Sequence, residues 1–76
     1  MNSAEIRATI IEIASLELPD LNLDGDFISS LDSVQRLTLV VALEDHFEIC
    51  FDPENEAGLI NLNDVTHHIH TQLKDQ

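Results

Sequence analysis

Ile6, Ile10 and Ile13 fall at i, i+4 and i+7, one face of a helix, with Glu5 and Glu12 outside it. The spacing predicts a first helix from about Ser3 to Leu16, ended by Pro19, whose ring cannot continue helical hydrogen bonding. From Pro19 to Leu31 no period is visible. A loop this long in a small chain must be tied down, and Leu21, Leu23, Phe27 and Leu31 are expected to pin it into the core.

Helical spacing returns at Asp32, a good N-cap residue with Gln35 three positions on, a capping-box-like pair. The helix is predicted to run to about Phe47 and carries two apolar stripes. Leu39, Leu43 and Phe47 form one; Val34, Leu37 and Val41, at i, i+3 and i+7, form another well over a quarter-turn away. Thr38, Glu44 and Asp45 border the second stripe. Either both stripes are buried by flanking helices, or the second stays partly exposed as a docking face with acidic edges; periodicity leaves both open.

After Ile49-Cys50-Phe51, Asp52 with Pro53 predicts a short third helix stopping near Gly58 or Leu59. Asn61 is placed to cap a last helix in which Leu62, Val65, Ile69 and Leu73 repeat at helical spacing. Nothing reads as a strand. The expectation is an all-α, small four-helix bundle: three longer helices, a short third one, and a long loop between the first two. Seventy-six residues suffice for a single domain, 1–76, with no room for a second core.

Charge changes this picture. Three basic residues stand against fifteen acidic ones, a formal net charge of −12, spread from Glu5 to Asp75. With 43% hydrophobic residues the chain is too apolar to be a disordered acidic segment. A folded domain in negative potential repels nucleic acid and anionic membranes and is steered toward partners with basic patches. The same repulsion predicts a monomer whose fold salt or divalent ions firm up. One cysteine, Cys50, excludes an internal disulfide and fits a reducing compartment. With no membrane-length apolar run and no signal-peptide pattern, the cytoplasm is expected.

Two constellations imitate metal sites. Asp20, Asn22, Asp24, Gly25 and Asp26 match positions 1, 3, 5, 6 and 7 of an EF-hand loop, but position 12, which needs a bidentate Glu, is Leu31. Pro19 would break the entering helix, and no second loop exists to pair with this one. Weak, nonspecific divalent-ion binding is the property expected of this loop. His67 and His70 lie one helical turn apart without a nearby third ligand, a poor zinc signal. The C-terminal histidines are read as flanking the Val65–Ile69–Leu73 stripe and facing solvent, able to gain charge in a negative field. Cys50 is read as a passive, partly buried thiol. No catalytic set is found and no metal is expected.

The strongest signal is Leu31-Asp32-Ser33-Val34. A serine at the first position of a helix holds its hydroxyl beside unpaired backbone N–H groups at the positive dipole end, where a phosphodiester is favoured. For these residues alone, simple capping would be the better explanation. The following run, Leu37, Leu39 to Asp45 and His46-Phe47-Glu48-Ile49, changes that. Together with the Asn61–Val65 step, the Phe27 anchor, the length and the acidity, it resembles the acyl carrier protein family.

The resemblance implies a carrier rather than an enzyme. Ser33 would be the site where a phosphopantetheinyl transferase, using coenzyme A and magnesium, attaches 4'-phosphopantetheine, whose thiol carries acyl intermediates as thioesters. Asp32 would help engage the transferase. Val34, Leu37 and Val41 would be apolar docking positions, and Glu44 and Asp45 acidic ones, for acyl-loading, condensing and tailoring enzymes bearing basic patches. Family members can also bury a short acyl chain between their helices. Val34 replaces leucine in the motif, and Gln35, Arg36 and Thr38 replace commonly acidic or small polar residues. Arg36 thereby puts a positive charge within one turn of the arm. The loop before Ser33 is also shorter than in housekeeping carriers and lacks their glycine. These departures suggest a specialised pathway, such as polyketide, unusual lipid or hybrid peptide assembly. The competing readings are a peptidyl or D-alanyl carrier for amino acids, and a non-carrier acidic calcium binder or adaptor.

Overall fold

The computed structural model describes residues 2–74, apart from the side chain of Asn55; Asp75, the last acidic residue, lies outside the described residues. The chain is all-helical there, with no strand among the described residues. Helix α1 spans Ser3–Glu17, α2 Ser33–Phe47, α3 Pro53–Ala57 and α4 Leu62–Lys74, and a 3-10 turn covers Phe27–Ser30. The boundaries of α1 and α2 fall within a residue of those expected, and α3 stops at Ala57, just short of Gly58. The radius of gyration, 11.3 Å, is that of a compact chain of this length, about 11 Å.

Each long helix starts on a local signal. Asn2 accepts from the Glu5 N–H at 2.8 Å while the Glu5 carboxylate accepts from the Asn2 N–H, a capping box one residue before the serine at which the periodicity begins. Asn61 Oδ1 accepts from the Asp64 N–H at 3.0 Å, and Asp64 Oδ2 in return accepts from the N–H groups of Ile60 and Asn61. Helix α2 ends on Glu48, which adopts the left-handed conformation (φ 56°) that usually falls to glycine.

The core is sealed where α1 packs on both α2 and α4. Ile6, Ile10, Leu43, Val65 and Ile69 are its most deeply buried side chains. On α1 the buried set is Ile6, Ile10 and Ala14, while Ile13 is only half-buried, so the face turns slightly from the one expected. Arg7 donates to Asn63 Oδ1 at 2.6 Å and ties α1 to the start of α4.

The long loop is anchored as expected by Phe27, which is buried, and by Leu21, Leu23 and Leu31, which pack partly buried against the core. Ile28 is a further buried anchor. Its N–H donates to the carbonyl of Ile60 at 3.1 Å, fastening the 3-10 turn to the segment between α3 and α4. This turn fixes where α2 begins. The EF-hand-like residues fold into an ordinary turn: Asn22 Oδ1 accepts from the Asp24 N–H, and Gly25 takes φ 61°. Among the described residues no three His, Cys, Asp or Glu side chains gather as a metal-binding group. Among the described residues no helix is long and apolar enough to cross a membrane.

Two sequence expectations need correction. Cys50 is exposed, because Ile49 and Phe51 on either side turn inward and the extended chain puts the residue between them outward. His68 does not face solvent: its ring stacks on Phe51 with centroids 4.8 Å apart, and its Nε2 is buried without a partner among the described residues. The negative field is not enough to hold its charge. Burial holds its pKa below the ordinary value, outweighing the attraction of Asp52, and His67 adds to the lowering.

Candidate functional site

Ser33 is the first residue of α2, and its geometry follows from the cap before it. Asp32 accepts from the Gln35 N–H at 2.8 Å, and the Gln35 side chain accepts from the Asp32 N–H at 3.1 Å. The capping box therefore consumes Asp32 and Gln35 and leaves the hydroxyl of Ser33 uncommitted. No hydrogen bond of Ser33 Oγ is found among the described residues, and the residue is exposed. The N–H groups of Ser33 and Val34 have no helical acceptor behind them, so they point with the positive end of the helix dipole into the same space. A phosphate ester on Ser33 Oγ would meet donors, a favourable dipole and open solvent. The residues present fit such a group.

The second stripe of α2 is exposed. Val34 is 73% exposed, Leu37 62% and Val41 44%, which resolves the alternative left open by periodicity. The reason is positional: α1 covers the Leu39–Leu43–Phe47 side, and no described element covers the other. Three large aliphatic side chains thus line one strip of surface running away from Ser33.

The two acidic residues placed beside this strip behave differently. Asp45 is exposed. Glu44 is half-buried and turns inward, its Oε2 accepting from the Phe51 N–H at 3.0 Å. Its carboxylate secures the segment after α2 to the helix and is only partly offered to solvent.

Arg36 also departs from expectation. Its guanidinium is directed to α3, donating to the carbonyl of Glu56 and lying 3.6 Å from the Glu56 carboxylate. The positive charge one turn from Ser33 is thus paired with Glu56 and is not directed toward the serine. The partners are twenty residues apart in sequence, beyond any local pattern.

Beneath this pair, between α2, α3 and the 3-10 turn, lies an apolar crevice lined by Ile28, Leu31, Leu39, Val40, Leu43, Phe51, Leu59 and Val65, with Arg36 and Glu56 also on its wall. Its free volume is about 10 Å³, roughly one water molecule, so the closed form holds no chain.

With this geometry in view, comparison with known proteins is specific. Residues 4–69 match the family described as phosphopantetheine attachment site. The chain is 32% identical to an acyl carrier protein of Exiguobacterium sibiricum over 71 residues, covering 91% of this chain and 90% of that protein. It is 38% identical to an acyl carrier protein homolog of Mycoplasma genitalium, covering 86% and 84%. No solved structure matches. The class is that of small helical domains bearing a covalently attached phosphopantetheine. Within that class, the chain belongs to the acyl carrier protein family.

Proposed function

We propose that this chain, acting as one domain of four bundled helices, carries acyl intermediates as thioesters on a 4'-phosphopantetheine attached to Ser33. The observation that supports it most is an exposed, uncommitted serine hydroxyl at the N-terminus of α2, within a chain of the acyl carrier family. In the attachment step Ser33 Oγ attacks the pyrophosphate of coenzyme A on a transferase. The Oγ–P bond forms, the bridging P–O bond breaks, adenosine 3',5'-bisphosphate leaves and the hydroxyl proton passes to the transferase. Asp32 contributes by holding the helix start rigid and by adding negative charge beside the serine. The arm supplies a thiol; the protein orients and shields it and performs no turnover of its own.

The exposed strip of Val34, Leu37 and Val41, with Asp45 at its edge, is the surface by which partner enzymes are met. Apolar contact supplies the affinity, and the net charge of −12 steers the carrier to basic patches on acyl-loading, condensing and tailoring enzymes. Work as a monomer in the cytoplasm belongs to the same reading. The cargo is acyl rather than aminoacyl, a preference supported by relatives named acyl carrier proteins. After conversion to the pantetheinylated form, loading with acyl donors should far exceed loading with aminoacyl-adenylate donors. The reverse preference would replace the acyl reading with a peptidyl or D-alanyl carrier.

The pathway is a specialised one, supported by Val34, Gln35, Arg36 and Thr38 standing at the start of α2 where housekeeping carriers commonly have other residues. Efficient replacement of a housekeeping carrier in reconstituted fatty-acid synthesis would contradict this.

A further inference from the structure

The way from Ser33 into the apolar crevice is obstructed by a polar contact. Ser33, Arg36, Val40 and Leu43 fall at i, i+3, i+7 and i+10 of α2, so they follow one another along one side of the helix. Val40 and Leu43 line the crevice, Ser33 lies outside it, and Arg36 stands between. Arg36 is joined across the gap to Glu56 of α3 through both the carbonyl and the carboxylate. Helix α3 has five residues and is the shortest α-helix among the described residues, so it has little packing of its own to hold it against α2.

We propose that Arg36 and Glu56 form a latch that decides whether an acyl chain is sequestered, resting on the reading that Ser33 carries the arm. With the latch closed, about 10 Å³ of free volume excludes even a short chain. To admit one, α3 must swing from α2, and the Arg36–Glu56 contact is the polar interaction that this movement breaks. Both side chains are about one-third exposed, 32% and 28%, so each regains water when the latch opens, and the barrier is modest rather than absolute. A short or polar acyl group gains too little apolar burial to open it and stays outside, accessible to partners. A medium, fully apolar chain gains apolar burial with every methylene and opens it. The latch therefore sets a lower limit on the length of chain that this carrier hides.

The test is to load wild type, Arg36→Gln and Glu56→Gln with butyryl, hexanoyl and octanoyl pantetheine from the corresponding coenzyme A thioesters, confirming each by intact mass. Methyl chemical shifts of Val40, Leu43 and Val65 are then compared with those of the unacylated arm-bearing form. Circular dichroism shows that each variant is folded, and Glu56→Gln keeps the backbone carbonyl contact should loss of Arg36 unfold the protein. Butyryl and hexanoyl chains should leave the wild-type methyl shifts unchanged, move them in Arg36→Gln and move them less in Glu56→Gln, which keeps the carbonyl contact, while octanoyl moves them in all three. Equal shifts in wild type and variants at every length, or none in any of them, would overturn the latch while leaving the carrier reading intact. Failure of Ser33 to take up any pantetheine would overturn the carrier reading itself, and the latch with it.

Discussion

Single residues carry the chemistry here through what they are prevented from doing. Ser33 is free because Asp32 and Gln35 satisfy each other's backbone groups and leave the serine hydroxyl out of the exchange. Removing the cap in Asp32→Ala should cost about 1 kcal/mol in denaturant unfolding and fray the turn that presents Ser33, whereas Asp32→Asn should be nearly neutral for stability. Equal losses in the two would show that charge rather than capping matters at this position. His68 makes the opposite case, a titratable group held back by its surroundings. Burial against Phe51 keeps its pKa below the ordinary 6.5. The folded state therefore binds fewer protons than the unfolded one, so stability rises with pH through the window between the lowered value and 6.5. His68 favours the fold fully above 6.5, and this contribution is lost as the solution is acidified. Measured against His68→Phe, wild-type melting temperature should fall more steeply between pH 7 and pH 5; parallel curves would contradict the assignment. Local signals such as the Asp32–Gln35 box were legible in the sequence because both partners lie within one turn. The sign of the His68 shift was not, because it depends on Phe51 seventeen residues away and on how much water the fold removes.

At the scale of elements, α2 is the helix on which the account depends. One side is buried against α1 by Leu39, Leu43 and Phe47, and the other presents Val34, Leu37 and Val41 to solvent. Periodicity identified both stripes but could not choose between two buried sides and one, since the choice rests on where neighbouring helices fall. Leu37→Glu keeps a good helix former at an exposed site, so its stability should stay within about 0.5 kcal/mol of wild type. A transferase that covers Leu37 should lose about tenfold or more in kcat/KM, since burying a leucine is worth about 1.5–3 kcal/mol. An unchanged kcat/KM would remove this strip from the docking surface. The long loop was only half legible. Its leucines and Phe27 could be picked out as anchors, yet the 3-10 turn and the Ile28–Ile60 bond depend on a partner more than thirty residues away. The Arg36–Glu56 contact escaped sequence reading for the same reason, and with it the direction in which Arg36 points.

For the whole molecule the governing quantity is a net charge of −12 on 76 residues. Repulsion among the carboxylates works against the compact state and is screened by salt, with a Debye length falling from about 10 Å at 0.1 M to about 3 Å at 1 M. Raising sodium chloride over that range should raise the melting temperature, by about 4–8 °C if the relief amounts to about 1 kcal/mol. A flat response would mean that the charges are already compensated. The same salt should slow encounter with basic partners, so stability and partner rate move in opposite directions. The central claim is nevertheless a covalent one, that Ser33 receives the arm. Intact mass of the wild type and of Ser33→Ala, before and after incubation with coenzyme A, magnesium and a promiscuous phosphopantetheinyl transferase, tests it most directly. A gain of one phosphopantetheine is expected in the wild type and none in the variant. No gain in either, or an equal gain in both, would contradict it.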